Sequence, residues 1–329
     1  MDATTITLRD LYLARAATTP YVRRTPLIRS QPLSRHSGGN VYLKLETLQE
    51  TGAFKLRGAA NKLLQLSAAQ RERGVVTVST GNHGRAVAFV AGQLGVRTVI
   101  CITSFVPPHK VAAMRQLGAQ IVVVEGDQDA AEAHARRLAQ QEGLTPISPF
   151  DDPHVIAGQG TIGLELLEEL PQIDSAIVPL SGGGLMGGIA LALKRADPRI
   201  RTIGVSMVRG PAMHDSLQAG KPVSVVEEPT LADSLSGGIG LDNRYTFTLC
   251  QRYVDETILL SEEEIAEAMA FAFHAHHLVV EGGGAVGIGA ILSGKAKTVG
   301  QHVAVVISGG NVDGTQLLHI ATHRDTART

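Results

Sequence analysis

The chain has 329 residues and is 44% hydrophobic, enough for a large core and for two domains rather than one. A formal net charge of −1 excludes the basic field that draws nucleic acid or an anionic membrane. No apolar run is long enough to span a bilayer, and Met1-Asp2-Ala3-Thr4-Thr5 lacks the charged start and apolar core of a signal peptide. Cys101 and Cys250 are far apart and form no metal-ligand pattern, so a reduced, cytoplasmic location is expected.

Residues 8–18 have helical spacing and lead into an extended X-Pro segment, Arg23-Arg24-Thr25-Pro26-Leu27. Residues 41–46 alternate like a half-buried strand. Next comes Thr51-Gly52-Ala53-Phe54-Lys55-Leu56-Arg57-Gly58, where Lys55 has apolar neighbours on both sides. Such a lysine is either a solvated charge or a partly desolvated amine with a lowered pKa, able to form a Schiff base. A helix follows over 58–66. Strands at 75–79, 98–103 and 120–124 then alternate with helices at 84–94, 107–117 and 128–141. Val and Ile fill both faces of these strands, as a buried parallel sheet requires. Further on, helices are expected at 155–169, 189–196 and 262–279, and strands at 175–180, 201–206 and 303–307. The last of the helices opens with a capping box, Ser261-Glu262-Glu263-Glu264. The fold class is α/β, with open, mainly parallel sheets flanked by helices. Residues 75–152 make a small lobe, and residues 1–74 with 153–329 a discontinuous large one.

Four loops follow or flank strand ends, where open α/β sheets bind ligands. Ser79-Thr80-Gly81-Asn82-His83-Gly84 exposes backbone N–H groups suited to a carboxylate, or is an ordinary capped turn. Ser181-Gly182-Gly183-Gly184-Leu185-Met186-Gly187-Gly188 suits a phosphate at a helix N-terminus. It also contains G-x-G-x-x-G, but the next strand ends Gly204-Val205-Ser206-Met207, without the acid a dinucleotide ribose needs. Ser308-Gly309-Gly310-Asn311 offers a hydroxyl to a heterocycle nitrogen. Glu281-Gly282-Gly283-Gly284-Ala285 starts a small-residue helix and either carries chemistry or only packs through its glycines with Glu281 as a cap. A phosphate site, a ring-nitrogen partner, an amine and a carboxylate pocket together describe pyridoxal 5'-phosphate and an amino acid.

The motif set resembles the fold type II (tryptophan-synthase-like) pyridoxal-phosphate enzymes, and within them the threonine/serine dehydratase and serine racemase family. The likeness runs from Thr25-Pro26-Leu27 to Ser308-Gly309-Gly310-Asn311 and includes Val155-Ile156-Ala157-Gly158-Gln159-Gly160-Thr161. It implies that Lys55 is the Schiff-base lysine and α-proton base, with Phe54 packed by the ring. It implies that Asn82 bonds the ring hydroxyl, that Gly182, Gly183, Gly184, Leu185 and Met186 hold the phosphate, and that Ser308 faces the pyridine nitrogen. Ser79, Thr80, Gly81, Asn82 and His83 would bind the substrate carboxylate, the small lobe would close over substrate, and the protein would be a homodimer. The implied reaction is β-elimination from a β-hydroxy amino acid, giving a 2-oxo acid and ammonia. A neutral Ser308 favours this over transamination. The alternatives are an amino acid racemase or β-replacement enzyme and, more remotely, a nicotinamide-dependent oxidoreductase or a non-catalytic amino acid sensor.

The sequence departs from that family at several points. Thr80 takes the place of the serine that serves racemases as opposite-face acid/base. Ser206-Met207 replaces a Glu-Pro whose carboxylate binds a divalent cation, so no metal site is expected. Ser234 stands where relatives have glycine. Arg209 is either solvated or a partner for a second substrate carboxylate. The run Thr80-Gly81-Asn82-His83-Gly84-Arg85 resembles the hydroxyectoine-utilisation dehydratases. His274, His276 and His277 are expected at a surface or interface.

Overall fold

Ten strands form in chain order: β1 (Leu27–Ser30), β2 (Asn40–Leu45), β3 (Val75–Val78), β4 (Thr98–Thr103), β5 (Gln120–Val124), β6 (Thr145–Pro146), β7 (Ser175–Pro179), β8 (Arg201–Met207), β9 (Glu256–Leu260) and β10 (His302–Ile307). The structure, a computed structural model, describes residues 6–323 except 80, 105, 107, 127, 298 and 299. A six-stranded sheet has the order β1-β2-β10-β7-β8-β9, and a four-stranded sheet the order β5-β4-β3-β6. Among the described residues, β1–β2 is the one antiparallel strand pair; the others are parallel. β1 begins at Leu27, the last residue of the extended X-Pro segment, and continues where no strand is expected.

The larger sheet is buried on both faces, which is why its central strands β7 and β10 are apolar after their first residues, Ser175 and His302. Along β10, Val303, Val305 and Ile307 face one core with Leu43 and Val286, while Ala304 and Val306 face the other with Ile162 and Met186. Each fully buried Val or Ile contributes about 1.5–3 kcal/mol relative to exposure.

Helices start earlier than their apolar periodicity predicts. They span Lys55–Leu64, Asn82–Leu94 and Gly184–Ala196, where 58, 84 and 189 are the expected starts. The helix expected to reach 279 ends at His276, because His277 adopts φ 56° and caps it with its N–H on Ala272 and Phe273. Close packing accounts for the glycines in the first turns of the Gly184 helix. A Cβ on Gly188 would sit 2.6 Å from the Ile156 carbonyl of the helix Pro153–Glu169. The histidines of the capped helix point apart: His274 meets the Ala321 carbonyl and His276 the Ser30 hydroxyl.

Candidate active site

Four helix N-termini converge on one cavity of about 1610 Å³: those beginning at Lys55, Asn82, Gly184 and Gly282. Two contacts splice the Lys55 loop to the end of β10. Ala53 and Gly309 form an isolated antiparallel bridge, and Phe54 N–H donates to the Ser308 carbonyl at 2.9 Å. The pairing sets Lys55 beside Ser308, although more than 250 residues separate them in sequence.

Lys55 Nζ donates to the Pro149 carbonyl at 2.7 Å and lies 5.2 Å from the centre of the Phe54 ring. Desolvation pushes its pKa down to about 8, and the charge of Glu281 offsets part of that shift. Roughly a tenth of the amine is then free base at pH 7, far more than for an ordinary lysine. Lys55 is thus half-buried in the cavity wall rather than a fully solvated surface charge.

At the glycine loop, the N–H groups of Gly182, Gly183, Gly184, Leu185 and Met186 meet no acceptor among the described residues. Such a row at a helix N-terminus is an anion cradle. Gly183 takes φ 84°, the left-handed region that favours glycine. Phe150 backs the loop so closely that a Cβ on Gly182 would lie 2.3 Å from its ring. Ser308 is 3% exposed and lines the cavity, and its hydroxyl has no hydrogen-bond partner among the described residues.

The Asn82 helix starts with a second set of free donors. Ser79 Oγ accepts from Gly81 N–H and Gly84 N–H, leaving its own hydrogen to donate. The N–H groups of Asn82 and His83 have no acceptor among the described residues. His83 is buried against the Ile147 carbonyl, and desolvation, helped by Lys55, pushes it down to about 3, so it is neutral. Thr80 lies outside the described residues.

The Asn82 amide already has two side-chain partners. Its Nδ2 donates to Glu281 Oε1, and its Oδ1 accepts from Asn311 Nδ2, each at 2.7 Å. Glu281 is the residue the sequence reading undervalued. Its backbone caps the Gly282 helix, but its side chain makes no cap bond and turns into the cavity. Burial, then Asp233, push its pKa up to about 7, against bonds from Ser234, Asn82 and Asn311 N–H. A glutamate ahead of three glycines was the only signal for it. Because Glu281 holds the Lys55 pKa up, Glu281→Gln is expected to lower it further. In the apoprotein, the pH midpoint for cofactor capture should then fall below about 8, read by stopped-flow absorbance. An upward shift would reject the coupling.

Two residues whose roles the sequence leaves open find their places. Arg209 is exposed, donates to the Pro229 carbonyl and does not line the cavity. Ser234 does line it, and reaches Glu281.

Behind Lys55, Arg57 and Lys44 are buried with Glu46 and Glu165. Arg57 meets Glu46 Oε1 at 2.8 Å and Glu165 Oε1 at 2.6 Å, and Lys44 meets Glu165 Oε2 at 2.8 Å.

An anion cradle, a desolvated amine and a buried unpartnered hydroxyl on one cavity define a site for a phosphorylated aromatic aldehyde, and these residues fit pyridoxal phosphate. Residues 18–309 match the family described as pyridoxal-phosphate dependent enzyme. The chain belongs to that family, and its two-sheet architecture is that of fold type II. It is 47% identical over 312 residues to a putative threonine dehydratase of Sinorhizobium fredii, covering 95% of this chain and 94% of that one. It is 44% identical to the L-threonine ammonia-lyase of Thermotoga maritima, covering 94% of this chain and 76% of the relative. Maize serine racemase superposes with a TM-score of 0.90 at 34% identity, covering 97% of this chain and 99% of the other.

Proposed function

We propose that the protein is a pyridoxal-phosphate-dependent ammonia-lyase that converts threonine, or a related β-hydroxy amino acid, to its 2-oxo acid and ammonia. The observation that carries the reading is the desolvated Lys55 amine in one cavity with the unpartnered Ser308 hydroxyl and the free N–H row of Gly182–Met186. The names borne by the two sequence relatives support the substrate class.

Bound pyridoxal phosphate supplies an electron sink for the carbanion formed at the substrate Cα. The Gly182–Met186 N–H groups bind the phosphate, and Ser308 hydrogen-bonds the ring nitrogen without a formal charge. Lys55 anchors the cofactor and then, as free amine, takes the Cα proton. Asn82, which keeps one amide N–H beyond its bond to Glu281, hydrogen-bonds the ring hydroxyl. Ser79 and the N–H groups of Asn82 and His83, in the loop that includes Gly81, would hold the carboxylate, with Thr80 proposed as the second proton donor. The β-hydroxyl leaves as water, and the resulting enamine hydrolyses to the 2-oxo acid and ammonia.

We assign substrate closure to residues 75–152, since the four-stranded sheet carries the carboxylate loop and the six-stranded sheet the phosphate loop. A homodimer rests on the family resemblance, and the buried free thiols of Cys101 and Cys250 suit a reducing cytoplasm. A narrower role in hydroxyectoine breakdown rests on the run at residues 80–85 alone.

Holoprotein incubated with threonine, serine and hydroxylated diaminobutyrates is expected to release 2-oxo acid from at least one, with a change in cofactor absorbance. Cofactor absorbance with release from none rejects the lyase reading. D-amino acid formation without 2-oxo acid would replace it with racemisation.

A further inference from the structure

We infer that Arg85 is a carboxylate-binding residue that helps set substrate specificity, which rests on the lyase reading of the same cavity. Five cationic side chains line that cavity: Lys55, Arg85, Lys110, Arg136 and Arg244. Lys55 is the cofactor's amine. Lys110 pairs with Asp233 at 2.9 Å and Arg136 with Glu132 at 3.7 Å, while Arg244 is exposed. Arg85 alone is a half-buried guanidinium with no carboxylate partner among the described residues.

Its orientation is fixed. Nη1 donates to Asn311 Oδ1 at 2.8 Å. The Asn311 amide cannot turn without losses, because Nδ2 donates to the Thr51 carbonyl at 2.8 Å and to Asn82 Oδ1 at 2.7 Å. Gly52 makes room for this amide; a Cβ there would sit 2.6 Å from Asn311 Oδ1. The Nε–Nη2 edge of Arg85 finds no acceptor among the described residues. Two parallel N–H groups on a preset guanidinium match a carboxylate bidentately. Burying half of an arginine without a counterion is unfavourable, and a bound anion removes that cost. Arg85 also lies one helical turn from Asn82, at i and i+3 on the helix that starts the carboxylate loop, so both side chains reach the same part of the cavity. Since Ser79 and the N–H groups of Asn82 and His83 are available to the α-carboxylate, the carboxylate that Arg85 takes is a second one, on the substrate side chain.

Arg85→Gln in the holoenzyme keeps a donor for Asn311 and removes the charge. It is expected to raise the KM for 3-hydroxyaspartate and the inhibition constant of malonate by about tenfold or more, the scale of a charge-assisted hydrogen bond. A distinctly smaller rise in KM for threonine is expected; an equal rise would place Arg85 on the α-carboxylate and overturn its specificity role. Constants within twofold of wild type for all three, with cofactor absorbance intact, overturn the proposal. If the glutamine variant does not retain cofactor, Arg85→Lys decides: a rise of about threefold or more in the malonate constant supports it, and no rise overturns it. Wild-type protein without cofactor absorbance or 2-oxo acid release fails the lyase reading instead, so the two failures are distinct.

Discussion

Lys55→Ala is expected to lower turnover by at least about a thousandfold, because in the proposed mechanism one side chain supplies both the cofactor anchor and the general base. The variant should still bind pyridoxal phosphate through the Gly182–Met186 cradle, so equilibrium dialysis separates lost binding from lost chemistry. A cofactor-loaded Lys55→Ala with undiminished 2-oxo acid release would reject Lys55 as the base. The apoprotein carries a second, independent readout. Burial holds the Lys55 pKa near 8, below its unfolded value of 10.5. A lysine lowered in this way binds fewer protons folded than unfolded between those two values. Its contribution to stability is therefore unfavourable below pH 8 and fades as pH rises toward 10.5. Lys55→Met should accordingly melt higher than wild-type apoprotein at pH 7, with the difference shrinking by pH 10. A methionine variant less stable at pH 7 would mean that the amine is not desolvated.

The parts of this site that the sequence announces are those built from unusual local composition. Three consecutive glycines, Gly182–Gly184, after the apolar strand β7 have few uses other than an anion cradle, and Lys55 stands between Phe54 and Leu56. What stays hidden is long-range pairing. Nothing local says that Gly309 will bridge Ala53, or that Glu281 will turn from its helix cap toward Asn82. Helix starts were read late for a related reason. Glycine and asparagine are poor helix formers in isolation, so propensity assigns them to the loop. Tertiary packing of Gly188 on Ile156 and Gly160 makes these residues helical instead. The same step moves the free N–H groups into the cavity, so the misread boundary residues are the functional ones. Arg209 and Arg85 show the complementary limit. Both were visible as arginines, and only the fold distinguishes the one hydrogen-bonded at the surface from the one on the cavity wall.

Arg57→Met is expected to destabilise the protein by about 3–5 kcal/mol, the cost of breaking a buried ion network by removing one partner. Arg57 is 1% exposed, two residues beyond Lys55 on the same helix. Its Nε and Nη2 grip Glu46 at 2.8 Å each, and its Nη1 reaches Glu165 Oε1 at 2.6 Å and Thr161 Oγ1 at 3.0 Å. Burial works against both charges in the Arg57–Glu46 pair. The mutual attraction outweighs it, raising the Arg57 pKa and lowering that of Glu46. Methionine fills much of the volume but leaves Glu46 with Thr25 Oγ1, Gln49 and the more distant Lys44 charge as support. Since the folded-state pKa of Glu46 is lowered, its contribution to stability is present above the unfolded carboxylate value near 4.5 and is lost as pH falls below it. Wild type should therefore lose stability on acidification below about pH 4.5, and Arg57→Met should lose less over the same interval. Urea melts at pH 7 and pH 4 measure both effects. Replacing Arg57 and Glu46 together with apolar residues of similar size should recover much of the loss, because Glu165 keeps its pairing with Lys44 and no buried charge is then left unpaired. A single Arg57→Met variant within about 1 kcal/mol of wild type would mean the network contributes registry but little stability. In that case the placement of Lys55 would rest on the Ala53–Gly309 bridge and the packing of Leu56 and Leu63 in the core beneath the helix.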